Sequence, residues 1–106
     1  MIAKSQKHWT GDVAELLRAG EGFALADVDP GATPGYGSSK TNAAEDLAAG
    51  AGELEEYQER LFAQSRTTEA PDSVLLVLQA MDTAGKGGIV RHVVGSVDPQ
   101  GVAIAA

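Results

Sequence analysis

Asp82 and Lys86 stand four residues apart in the stretch Ala80-Met81-Asp82-Thr83-Ala84-Gly85-Lys86-Gly87-Gly88-Ile89. An acid and a base among small, glycine-rich neighbours suit the binding of phosphate. Glycines let backbone N–H groups converge on one spot, a helix beginning there adds roughly half a positive charge, and Lys86 supplies a full one. Residues 83–88 (Thr83, Ala84, Gly85, Lys86, Gly87 and Gly88) are therefore the candidate cradle. Against the phosphate-loop pattern G-x-x-x-x-G-K-[ST], Ala80 replaces the first glycine and Gly87 the hydroxyl residue. That hydroxyl normally ligates Mg²⁺, which neutralises charge on a transferring phosphate. Asp82 is the expected replacement, because a carboxylate facing phosphate is repulsive unless a cation lies between them. Mg²⁺ is the expected cofactor.

Such a loop needs elements to hold it. The apolar run Val74-Leu75-Leu76-Val77-Leu78 before it predicts a strand covered on both faces, and Val90-Arg91-His92-Val93-Val94 after it predicts a short helix. Asp98-Pro99-Gln100-Gly101 is a turn, and Val102-Ala103-Ile104-Ala105-Ala106 opens a second strand, which completes one βαβ unit of about 30 residues. Upstream, Asn42 with Glu45 resembles a capping box. Leu47, Ala51, Leu54, Tyr57 and Leu61 recur at helical spacing to about Gln64. The heptad spacing of Leu47, Leu54 and Leu61 spans too few repeats for a coiled coil, so the stripe predicts a core-facing side. Gly50 and Gly52 each weaken this helix by about 1 kcal/mol relative to alanine. Thr10 to Gly20 predicts a short helix. Residues 21–40, with Asp29-Pro30-Gly31 and Thr33-Pro34-Gly35 as turn signals, predict an irregular arm whose Phe23, Leu25 and Tyr36 lie on a surface.

The 106 residues allow one domain. At 43% hydrophobic and 22% charged the composition is that of a soluble protein, with much of the apolar share carried by alanine. A formal charge of -7 argues against a general nucleic-acid or anionic-membrane surface. The imbalance is local. Residues 1–70 hold 12 acids and 6 bases, whereas residues 71–106 hold 3 acids, Lys86 and Arg91. No cysteine is present, which removes disulfides and thiolate chemistry. Neither a leader-like apolar segment nor a membrane span is apparent, and the expected location is cytoplasmic.

From Leu76 to Val102 the pattern L-x-V-L-Q-x-M-D-T-A-G-K-G-G-x-V-R-H-V-V-G-x-V-D-P-Q-G-V resembles the signature segment of the type-2 polyphosphate kinase family. Leu25-Ala26-Asp27-Val28-Asp29-Pro30, Thr33-Pro34-Gly35 and residues 54–63 resemble its N-terminal arm and first long helix. The resemblance implies phosphoryl transfer between inorganic polyphosphate and a nucleotide, with Asp82 and Lys86 as catalytic residues and Asp82 on the metal. Gly85, Gly87 and Gly88 would be the backbone cradle, and Arg91 would face the polyphosphate. It also implies a homo-oligomer and later motifs that these 106 residues do not contain, while the charge leaves no nucleic-acid or membrane partner expected.

The expectation is thus an α/β, P-loop kinase-like parallel sheet truncated after the first βαβ unit, with a helical N-terminal extension. Residues 1–40 would form the arm and 41–106 the partial kinase-like domain. The alternative is a phosphate- or polyphosphate-binding remnant without turnover. His92 is expected at the surface or in packing, and Tyr57 and Phe62 in core contacts. His8 and Trp9 are expected to be incidental in a frayed terminus. Glu53, Glu55, Glu56 and Glu59 are expected on a solvated helix face.

Overall fold

The structure is a computed structural model that describes residues 6–106; the start of the predicted arm, residues 1–5, lies outside the described residues. The chain divides into two units, Met1–Ala48 and Ala49–Ala106.

In the first unit, Asp12 in extended backbone accepts from the N–H groups of Ala14 (2.9 Å) and Glu15 (3.3 Å), and so starts helix α1, Val13–Leu16. This is shorter than the helix predicted from Thr10 to Gly20. One turn with no buried face has little to oppose fraying. A 3₁₀ turn, Leu25–Asp27, follows. Both predicted turns are present. Asp29 receives the N–H of Gly31 on its side chain at 2.8 Å and that of Ala32 on its carbonyl at 3.1 Å. The Tyr36 N–H returns to the Thr33 carbonyl at 3.1 Å. Pro34 fixes the second position of that turn, and Gly35, at φ +77°, takes the left-handed third position. The turn brings Tyr36 beside Trp9 in an antiparallel bridge, with Thr10 N–H on the Gly35 carbonyl (2.7 Å) and Gly37 N–H on the His8 carbonyl (3.2 Å).

Helix α2 runs over Lys40–Ser65. Its start differs from the predicted capping box: Ser39 receives the Asn42 N–H on Oγ (3.3 Å) and the Ala43 N–H on its carbonyl (2.9 Å). The Asn42 amide instead donates to Ser38 Oγ at 2.7 Å. Two consecutive serines upstream supply the cap three residues earlier.

In the second unit, α2 continues to Ser65, and helix α3 spans Lys86–His92. Two 3₁₀ turns, Val94–Ser96 and Pro99–Gly101, complete the regular structure. The predicted strands are a correction. No strand occurs among the described residues, and 74–78 and 102–106 have no regular structure. Strands exist by pairing, and these runs find no ladder partner. Val74 is 82% exposed and Leu75 87%. The predicted α2 stripe likewise meets no core, since no described residue is buried and Tyr57 is 65% exposed. Tyr57 instead carries the Arg60 guanidinium 6.0 Å above its ring. No helix among the described residues is long and apolar enough to cross a membrane.

Candidate phosphate site

The Ala84 N–H closes a turn onto the Met81 carbonyl at 3.2 Å, with Thr83 in its third position at φ +66°. A β-branched residue in left-handed backbone is an outlier that costs about 1–3 kcal/mol and gathers at functional sites. Gly85 follows at φ +97° and ψ 0°, the conformation that lets the chain swing from the turn into α3. The first helical bond of α3 runs from Ile89 N–H to the Gly85 carbonyl at 3.1 Å. The N–H groups of Gly85, Lys86, Gly87 and Gly88 come before it and are directed away from the helix body. Arg91 and His92 sit in the last turn, where positive charge complements the helix dipole.

Met81, Asp82, Thr83, Gly85, Lys86, Gly87 and Gly88 line one open concavity of about 430 Å³. Five of the six expected cradle residues and the expected metal ligand therefore share a surface. Ala84 does not line it, and its N–H is spent on the Met81 carbonyl. Arg91 does not line it either. Five residues at about 100° each place it some 140° around the helix from Lys86.

Nothing in the chain approaches within 4 Å of where a side-chain carbon would stand on Gly85, Gly87 or Gly88. Only Gly85 has a backbone that demands glycine. Gly87 and Gly88 pack against nothing, although each weakens a helix by about 1 kcal/mol relative to alanine. The space above them is open toward the concavity.

Asp82 makes no ion pair or hydrogen bond among the described residues. Its free carboxylate is a hard oxygen donor of the type Mg²⁺ takes, beside a surface where phosphate oxygens would supply further ligands. The described residues contain no group of three or more metal-ligating acids, histidines or cysteines, so the chain offers Mg²⁺ a single carboxylate here and no cage.

A second polar cluster lies in the first unit. His8 Nδ1 donates to Asp46 Oδ2 at 2.7 Å, the Tyr36 hydroxyl donates to the same oxygen at 2.8 Å, and the Trp9 ring meets Tyr36 edge-on at 5.3 Å. The bonds from His8 and then Tyr36 hold the Asp46 carboxyl below the usual carboxylate range. Desolvation, followed by the bond to Asp46 and its charge, pushes the Tyr36 phenol up to about 12. His8 and Trp9 are therefore anchored, contrary to the expectation of a frayed terminus. Separations of 38 and 10 residues leave no periodic mark by which the sequence could show this cluster.

Comparison with known proteins bears on the same residues. A family model described as polyphosphate kinase 2 matches residues 37–106. The chain is 42% identical over 84 residues to an AMP/ADP-polyphosphate phosphotransferase from Meiothermus ruber, covering 79% of this chain and 30% of that protein. It is 37% identical over 91 residues to an ADP-polyphosphate phosphotransferase from Rhodopseudomonas palustris, covering 80% of this chain and 28% of that one. The crystal structure of polyphosphate kinase 2 from Arthrobacter aurescens TC1 superposes with a TM-score of 0.79 at 52% identity, over 92% of this chain and 36% of that one. The chain thus spans about a third of the length of the relatives it matches.

Proposed function

Because the chain belongs to the polyphosphate kinase 2 family, we propose that it carries the phosphate-holding part of an enzyme that transfers phosphoryl groups between inorganic polyphosphate and a nucleotide. The observation that carries the reading is the concavity shared by Lys86, Asp82 and the N–H-bearing first turn of α3, within the matched residues. Toward the nucleotide, a terminal phosphate oxygen of the acceptor attacks the end phosphorus of polyphosphate. The bridging P–O bond breaks, and the polymer leaves one unit shorter.

Catalysis of this kind is positioning and charge stabilisation. Lys86 and the amides of Gly85, Gly87 and Gly88 hold phosphate oxygens, with Thr83 at the rim. Asp82 would hold Mg²⁺, which when bound neutralises charge on the phosphates. Arg91 would reach polyphosphate that extends past the concavity. On this reading, the protein has a P-loop kinase-like fold and works in the cytoplasm as a homo-oligomer.

A second reading, binding without turnover, is favoured by one observation: the concavity holds a single cationic side chain and a single carboxylate. One experiment separates the two. Nucleoside mono- or diphosphate, polyphosphate and Mg²⁺ are incubated with the chain and the phosphorylated nucleotide is measured. Tripolyphosphate affinity is read in parallel by calorimetry for wild type and Lys86→Ala. Loss of the lysine contact should weaken binding by about 1.5–3 kcal/mol. Equal affinity for both proteins would overturn the site assignment.

A further inference from the structure

We propose that Gln58 is a positioning residue that clamps the Asp98–Gly101 corner onto α2 and thereby holds the helix that carries the phosphate site. The inference rests on the function proposed above, and every residue in it belongs to the second unit, Ala49–Ala106.

The Gln58 side-chain amide donates from Nε2 to the Asp98 carbonyl at 3.2 Å. That carbonyl also receives the Gly101 N–H at 3.2 Å, so both its lone pairs are engaged. A side chain on Gly101 would displace the Gln58 amide from this contact. A methyl on it would overlap the Gln58 amide nitrogen and stand 3.5 Å from Phe62 Cβ, whereas its backbone lies outside the left-handed region. The corner itself is stiff. Pro99 fixes its first position, the Asp98 carboxylate accepts the Gln100 N–H at 2.9 Å, and Val102 N–H returns to the Pro99 carbonyl at 3.2 Å.

Gln58 Oε1 is buried and accepts nothing. A buried acceptor without a donor is unfavourable, and an apolar side chain at this position would avoid it. The amide is thus poorly explained by stability and well explained by its one donated bond. Between the corner and the cradle, the chain is held by consecutive local hydrogen bonds. Val97 N–H meets the Val94 carbonyl (3.3 Å), Ser96 N–H meets that of Val93 (3.2 Å), and Val93 N–H meets that of Ile89 (2.9 Å) inside α3, whose opening turn holds the free amides.

The test uses the 106-residue chain with tripolyphosphate and Mg²⁺. Gln58→Met should weaken binding about 3- to 10-fold, the weight of one hydrogen bond, without lowering the unfolding temperature. Gly101→Ala should weaken it alone, yet add nothing in the Gln58→Ala background, where the methyl takes the space of the lost amide. Hydrogen exchange at the Ile89 and Val93 amides should quicken in Gln58→Met. Unchanged affinity and exchange in Gln58→Met, or additive effects of Gly101→Ala and Gln58→Ala, overturn the clamp. If wild type binds no tripolyphosphate, the function proposed above falls, and exchange at Ile89 and Val93 alone decides whether Gln58 holds α3.

Discussion

The Tyr36 hydroxyl donates to Asp46 Oδ2 at 2.8 Å, which ties the end of the arm to the first turns of α2 through the carboxylate that also holds His8. This relationship sets the pH range of the arm. Asp46 is held low, so its contribution is present above the carboxyl's unfolded value of about 3.9 and fades as pH falls through the lower folded value. Tyr36 is raised, so its contribution is intact below 10.0 and fades as pH rises through about 12. Fluorescence of Trp9, whose ring meets Tyr36 edge-on, should change at both ends of this range. Tyr36→Phe should remove the alkaline change and leave the acid one. An alkaline change that survives in Tyr36→Phe would contradict this account.

Asp82→Asn keeps the shape of the side chain and removes its charge. Tripolyphosphate binding without metal should be equal or stronger, because a like charge is gone from the concavity. The increment that Mg²⁺ adds should disappear. An increment that survives the substitution would place the metal elsewhere.

The three glycines of the loop should behave differently. Gly85→Ala forces a side chain onto left-handed backbone at φ +97° and should destabilise the loop by roughly 1–2 kcal/mol. Gly87→Ala and Gly88→Ala meet no atoms of the chain and should each stabilise α3 by about 0.5–1 kcal/mol. Both should nonetheless weaken tripolyphosphate binding, since the added methyls enter the space the ligand would use. Circular dichroism and calorimetry on the three variants check this. If Gly87→Ala and Gly88→Ala leave affinity intact, phosphate does not sit against that turn.

Residues 74–78 leave Val74 82% and Leu75 87% exposed, and Ile104 in the second run is 75% exposed. Exposed apolar segments without ladder partners are templates for association. The 106-residue chain should therefore self-associate, with a transition that shifts upward with concentration in thermal unfolding and sedimentation. Val74→Lys with Leu76→Lys should make the behaviour independent of concentration. A wild-type chain that melts sharply as a monomer at every concentration would show that its two units suffice for stability.

What the sequence determined by itself was local. Asp29-Pro30-Gly31 and Thr33-Pro34-Gly35 dictate their turns because proline presets one dihedral and glycine permits a positive one. The glycine-rich stretch after Met81 dictates the start of α3, and with it the meeting of Asp82, Thr83 and Lys86 on one surface, for the same short-range reason. Apolar spacing foretold α2 from Leu47 to Leu61, although its first residues were set by Ser38 and Ser39, whose capping competes with that of Asn42. Tertiary structure decided what depends on distant partners. Whether Val74 to Leu78 form a strand is decided by pairing, since an apolar run carries the propensity and only a neighbour supplies the hydrogen bonds. The joining of His8, Tyr36 and Asp46, and the seat of Gly101 against Gln58, required the chain to return on itself over tens of residues in two of these contacts. Such contacts leave no period in the sequence, because the chemistry that makes them, one carboxylate or one amide meeting its partners, is set by fold and not by spacing.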